Sequence, residues 1–148
     1  MLAAAQQATE QCDIFIAAAA VADYRPADVA EQKIKKSGEQ MTLTLSKNPD
    51  IVATVATIAP RPFVVGFAAE TQHLGEHAQA KLERKKLDMI VANDVSKAGI
   101  GFNSDDNAVT VYWPQGEQSF AQTSKQCLAR QLIHTIAERL TATQSQAD

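Results

Sequence analysis

Apolar residues in this chain fall into short blocks separated by polar stretches, and the period changes from block to block. Residues 2–11 are rich in Ala and Gln and favour a helix. Asp13 then opens a continuous apolar run from Ile14 to Ala22, with β-branched and aromatic residues at its start. Such a run predicts a strand buried on both faces. Asp23-Tyr24-Arg25-Pro26 ends it, and residues 27–40 are polar. Met41-Thr42-Leu43-Thr44-Leu45 alternates apolar and polar, the pattern of a half-buried strand. In Lys47-Asn48-Pro49-Asp50, Asn48 can be an N-cap, Pro49 suits the first helical position, and Asp50 favours the positive end of the dipole. Ile51 to Ile58 fills that helix, and Pro60 and Pro62 stop it. Phe63–Phe67 reads as a buried strand. Residues 72–86 form a helix with Leu74, Ala78 and Leu82 at spacing of four, and Leu87–Ala92 is a third apolar run. After a loop at 97–107, residues 107–113 and 117–121 flank Pro114-Gln115-Gly116 as a hairpin. Ser124 can cap a last helix striped by Leu128, Leu132, Ile136 and Leu140.

This order predicts an α/β, Rossmann-like three-layer domain with a mainly parallel sheet, followed by a C-terminal β-hairpin and helix. Ligands of such sheets sit beyond the carboxyl ends of the strands. Asp23-Tyr24-Arg25, Ala68-Ala69-Glu70-Thr71 and Asn93-Asp94 fall there. A self-contained nucleotide domain usually opens with a strand and a Gly-rich turn. Here the first 65 residues hold one glycine, Gly38, and neither a Walker loop nor G-x-G-x-x-G occurs. Gly99-Ile100-Gly101 lacks the third glycine and the following helix.

Composition narrows the picture. The 148 residues, 45% hydrophobic and 21% charged, suit one globular domain and leave enough apolar material for a core. With two cysteines, Cys12 and Cys127, a disulfide scaffold is excluded; both are expected to be buried or inert. The run from Ile14 to Ala22 is far short of the roughly 20 residues of a membrane helix. The N-terminus lacks a secretory signal pattern, so a cytoplasmic, reducing compartment is expected. A net charge of −3 offers no electrostatic case for nucleic acid.

Several groups could carry chemistry, each with a plainer reading. Lys33, Lys35 and Lys36 suit phosphates, or a solvated loop. Lys81 and Lys85 share one helix face, for an anion or for solubility. Asn48-Pro49-Asp50-Ile51 offers free backbone N–H groups, or simple capping. Phe67 could stack on a base or fill the core, and Asp23 could bind a hydroxyl or a metal, or cap a turn. His73 and His77 have zinc spacing without an evident third ligand, so an exposed face is the better reading. Residues Asn103, Asp105, Asp106 and Asn107 resemble a calcium loop only loosely.

Six strings, taken in order, are more specific. They are Ala19-Ala20-Val21-Ala22-Asp23-Tyr24-Arg25, Lys33-Ile34-Lys35-Lys36, Lys47-Asn48-Pro49-Asp50-Ile51, Val65-Gly66-Phe67-Ala68-Ala69-Glu70-Thr71, Ala92-Asn93-Asp94-Val95 and Gly101-Phe102-Asn103-Ser104-Asp105. From about residue 1 to 142 the chain strongly resembles the CTP-dependent phosphopantothenate–cysteine ligase family. In bacteria that family is usually the C-terminal half of a bifunctional coenzyme A biosynthesis protein. The resemblance implies coupling of 4′-phosphopantothenate to CTP as an acyl-cytidylate, then attack by the amine of L-cysteine, releasing CMP. It implies Mg²⁺ with the nucleotide, FMN only in the separate decarboxylase domain, fusion to that domain, and no nucleic acid or membrane partner. It also implies a homodimer with contacts around residues 103–121.

Carried over by position, the resemblance assigns CTP binding to Ala17, Ala18, Ala19, Asp23, Lys33, Asn48, Pro49, Asp50, Ile51, Phe67, Lys81 and Lys85. Ala20 stands beside the reacting centre, and Lys33 reaches over it to stabilise transferring charge. The family's Gly-rich T-S-G-G-T turn and I-T-N-x-S-S-G segment do not occur in these 148 residues. The chain is therefore expected to be a ligase domain (1–148) lacking its N-terminal strand, with a disordered tail at 143–148. A sheet missing a strand exposes an edge, so low stability and little activity alone are expected. A non-catalytic nucleotide-binding or dimerisation fragment is the alternative, and an NAD(P)-dependent redox domain is disfavoured by the absent fingerprint.

Overall fold

A computed structural model describes residues 1–36, 38–70, 73–94 and 104–145. The elements are α1 (Leu2–Thr9), β1 (Ile14–Ala17), β2 (Tyr24–Pro26), β3 (Leu45–Lys47), α2 (Ile51–Val55), β4 (Phe63–Glu70), α3 (Leu74–Arg84), β5 (Met89–Asp94), β6 (Asp106–Trp113), β7 (Gly116–Ser124) and α4 (Lys125–Gln144). The main sheet has the order β1-β4-β5-β6-β7. β1, β4 and β5 are parallel, whereas β6 is antiparallel to both of its neighbours. Four of the five strands therefore run one way, the mainly parallel sheet expected. Gly66, Thr71, Val95 and residues 99–103 matter to the sequence motifs; of these, Thr71, Val95 and 99–103 lie outside the described residues.

Strand alternation sorts the core into two layers. On one face Val64, Ala68, Ile90, Ala92 and Tyr112 pack with Val55 and Ala56 of α2 and Ala78 and Leu82 of α3; Ala5 of α1 joins them. On the other face Phe63, Val65, Met89, Val91, Val109 and Val111 pack under Leu128, Leu132 and Ile136 of α4, with Leu140 partly buried. The i, i+4 stripes expected in α3 and α4 are thus the faces that meet the sheet. Ser124 caps α4, its Oγ accepting from the Cys127 N–H at 3.3 Å. Helices on both faces make the three layers.

Five local expectations need correction. β1 stops at Ala17, not Ala22, and is the sheet edge rather than a strand buried on both faces: Ile16 is 38% exposed. Alanine supplies little side chain to hold the pleat, so the alanine run leaves the ladder after Ala17. The helix cap is Asp50, not Asn48, and regular helix ends at Val55. The Met41–Leu45 strand is not half-buried; only Leu45 enters β3, and Met41, Leu43 and Leu45 are exposed. Of the two cysteines expected to be buried or inert, neither is fully buried: Cys127 is exposed and Cys12 half-buried. α4 continues through Gln144, two residues into the expected tail, and residues 146–148 lie outside the described residues.

Candidate functional site

The chain leaving β1 crosses toward α2, and one side chain fixes the crossing. Asn48 Nδ2 donates to the Ala22 carbonyl at 2.8 Å, and Asn48 Oδ1 accepts from Arg25 Nη1 at 2.8 Å. Its backbone N–H donates to the Asp23 carbonyl at 2.7 Å. Asn48 is therefore a clasp holding Ala22 to Arg25 against the entrance of α2. Its amide is already committed, which is why the capping task passes to Asp50 beyond Pro49.

Asp50 serves two partners. One carboxylate oxygen accepts from the Ala53 N–H at 3.1 Å, closing the helix start. The other meets Lys85 Nζ at 2.9 Å. Burial pushes the Asp50 carboxyl pKa up, but the Lys85 hydrogen bond, the Ala53 N–H and the charges of Lys85 and Arg84 outweigh it. The net shift is downward. Asp23, Asn48, Pro49, Asp50 and Lys85 are thereby linked through direct contacts, with Ile51 opening α2 and Lys81 one turn before Lys85 in α3. α2 is only five residues long, so its macrodipole adds little to this cluster.

The other expected residues are not all in that cluster. Ala17 ends β1 opposite Gly66, on the face that α2 and α3 cover, and Ala18, Ala19 and Ala20 follow as irregular chain. A Cβ on Gly66 would lie 2.7 Å from Leu87 Cδ1, so this position has no room for a side chain. Phe67, next in β4, points by alternation to the opposite, α4 face and is 44% exposed. That exposure removes the core-filling reading, yet the sheet stands between Phe67 and the Asp50–Lys85 pair. Lys33 sits exposed in the irregular stretch between β2 and β3. Sequence reading missed the Arg25 and Lys85 partnerships; both join residues distant along the chain, and no local spacing signals them.

Two other features hold no site. His73 pairs with Glu76 at 3.4 Å, and its ring centroid is 6.1 Å from that of His77, but no group of three metal-ligating residues occurs among the described residues. A cavity of about 380 Å³ opens at the amino end of the strands, away from the polar clusters, lined in part by Thr9, Cys12, Asp13, Arg61 and Asp88. Its cation is fully engaged: Arg61 donates to the Ala56 and Lys86 carbonyls at 3.0 and 2.6 Å and pairs with Asp88 at 2.9 Å. Asp88 also accepts from the Val64 N–H at 2.7 Å, so the group is a brace between β4 and β5. Among the described residues no helix is long and apolar enough to cross a membrane.

Comparison with known proteins shows the family of the chain. The chain is 61% identical over 130 residues to the coenzyme A biosynthesis bifunctional protein CoaBC of Vibrio cholerae, covering 86% of this chain and 33% of that protein. It is 48% identical over 143 residues to the Escherichia coli K12 protein of the same name, covering 94% and 35%. The chain thus spans about a third of the length of the curated relatives it matches. A crystal structure of the C-terminal domain of a CoaBC protein superposes with a TM-score of 0.75 at 32% identity, covering 95% of this chain and 61% of that one. Residues 1–140 match the family described as the DNA/pantothenate metabolism flavoprotein C-terminal domain, and the chain belongs to that family.

Proposed function

We propose that this chain is part of the ligase that joins 4′-phosphopantothenate to cysteine in coenzyme A biosynthesis, using CTP. The observation that carries the reading is the family match over residues 1–140 together with the linked Asp23–Asn48–Asp50–Lys85 cluster. A free carboxylate is a poor acyl donor. Attack of the phosphopantothenate carboxylate on the α-phosphorus of CTP forms the acyl-cytidylate and expels pyrophosphate. The cysteine amine then displaces CMP and forms the amide. Charge gathers on the phosphates in the first step, and preorganised cations lower its barrier.

In this reading Lys81 and Lys85 face the triphosphate, and Asp50 holds Lys85 at the ready. Asn48 fixes the turn that presents Asp23 to the nucleotide. The backbone from Asn48 to Ile51 meets the cytosine, Ala17 to Ala19 line the nucleotide, Ala20 stands beside the reacting centre, and Phe67 borders the pocket. Lys33 completes the charge stabilisation from its loop. Mg²⁺ would accompany the triphosphate and help neutralise the charge on its phosphates. FMN belongs to the decarboxylase domain to which the relatives are fused. The setting is cytoplasmic and the assembly a homodimer.

The test is pyrophosphate and CMP release with CTP, Mg²⁺, 4′-phosphopantothenate and cysteine. The 148-residue chain alone is expected to turn over little or not at all. Fusing the family's I-T-N-x-S-S-G segment upstream is expected to give turnover that needs both acceptor substrates. Product formed equally with ATP in place of CTP, or none from the fused protein, would refute the reading. Nucleotide binding without turnover in both forms would favour the non-catalytic alternative.

A further inference from the structure

We infer that Arg25 is a positioning residue of the nucleotide site, acting through the Asn48 side-chain amide on Ala22 and Asp23. The inference rests on the ligase reading and adds to it a residue that works without touching the nucleotide. Arg25 is the middle residue of β2 and stands opposite Ser46 of β3. Strand alternation puts Tyr24 and Pro26 on the other face of that ribbon. Arg25 is exposed, yet the group its guanidinium holds is a neutral amide: Nη1 donates to Asn48 Oδ1 at 2.8 Å.

That contact fixes which way the amide points. A guanidinium only donates and a backbone carbonyl only accepts. Asn48 is therefore held with Oδ1 toward Arg25 and Nδ2 toward the Ala22 carbonyl, at 2.8 Å each. Turning the amide over would set donor against donor and acceptor against acceptor. Without the guanidinium, only the Ala22 carbonyl selects the orientation, and Oδ1 is left to water.

The consequence reaches past the bond itself. Residues 18–23 lie between β1 and β2, outside both sheets, so no ladder fixes their path. Asn48 fixes its end at two consecutive residues: the side chain holds the Ala22 carbonyl, and the backbone N–H donates to the Asp23 carbonyl at 2.7 Å. Pro49 follows with its φ locked, so the constraint passes on to Asp50, whose carboxylate holds the Ala53 N–H and Lys85. Arg25 thereby sets where Asp23 stands relative to the Asn48–Ile51 backbone, the two segments that the ligase reading gives to the nucleotide. A site whose parts are already in place binds without first ordering them.

Isothermal titration of the 148-residue chain with CTP and with CMP, in Mg²⁺, reads the inference. Arg25→Ala is expected to weaken both nucleotides by one common factor, about five- to tenfold, with unchanged far-UV circular dichroism. Arg25→Lys keeps a donor and is expected to recover part of the loss. Adding Arg25→Ala to Asn48→Ala is expected to cost nothing further, because Arg25 acts only through that amide. A loss confined to CTP, or additive losses in the double variant, would put Arg25 on the phosphates and overturn the positioning role. Arg25→Ala that binds as the wild type does also overturns it. Hydrogen exchange of the Asn48 backbone amide needs no nucleotide: it is expected to speed up in Arg25→Ala, and unchanged exchange overturns the inference. A wild type that binds neither nucleotide fails the ligase reading itself and takes this inference with it, a result distinct from each of the others.

Discussion

Replacing Asp50 with alanine removes two interactions held by one carboxylate: the N-cap bond from Ala53 at 3.1 Å and the Lys85 ion pair at 2.9 Å. Loss of an N-cap costs about 1 kcal/mol. The ion pair is partly exposed, with side chains 25% and 40% accessible, so solvent screening leaves it about 0.5 kcal/mol. The total of about 1.5 kcal/mol corresponds to a Tm fall of roughly 3–6 °C for a chain of this size. Asp50→Asn keeps an acceptor at the cap and loses only the charge, about 0.5 kcal/mol. The carboxyl pKa is lowered in the folded state. Its stabilisation is therefore fully present above the unfolded value of about 3.9 and is lost as pH falls through the folded value. Urea unfolding followed by circular dichroism, at pH 7 and at the lowest pH where the chain stays folded, measures both effects. Equal destabilisation by Asn and Ala, or a wild-type advantage over Asp50→Asn that widens in acid, would refute this account of Asp50.

Gly66→Ala is expected to cost about 1–3 kcal/mol in urea unfolding, because the new Cβ meets the buried Leu87 at 2.7 Å. Arg61→Ala unpairs Asp88 and frees two carbonyls of the brace. After allowance for its exposure, the loss should be about 1–2 kcal/mol by the same assay, and Arg61→Lys should restore only part of it. Burial, with the Glu117 charge adding to it, pushes the Tyr112 phenol pKa up despite the Thr110 hydrogen bond. Alkaline titration followed by phenolate absorbance should show a late component that Tyr112→Phe removes.

The sequence made the layered fold readable because the signals there are local and agree with one another. Leu74, Ala78 and Leu82 stripe α3, Leu128, Leu132 and Ile136 stripe α4, and Pro114-Gln115 sits between strands that do form a hairpin. Expectation failed where a distant partner decides the local state. Asn48 and Asp50 are both good caps, and which one caps α2 depends on Arg25 and Ala22 occupying the Asn48 amide. Met41-Leu43-Leu45 has a pattern that promises a covered face without saying what covers it. Asp50 and Lys85, both carried over by the resemblance, are in contact, and side-chain spacing alone could not join residues 35 positions apart. It also could not show that Phe67 lies across the sheet from Lys85.

The central claim is that this domain binds CTP, and a thermal-shift titration tests it most directly. With Mg²⁺ present, CTP, ATP and NAD are compared on the wild type, Lys33→Gln, Phe67→Ala and Lys85→Gln. Binding to the native state raises Tm by mass action, by about 2.7 kcal/mol of stabilisation at a hundredfold excess over Kd. The account predicts a CTP-selective rise that each substitution reduces. A folded wild type whose Tm is unmoved by CTP, or raised equally by NAD, would contradict it.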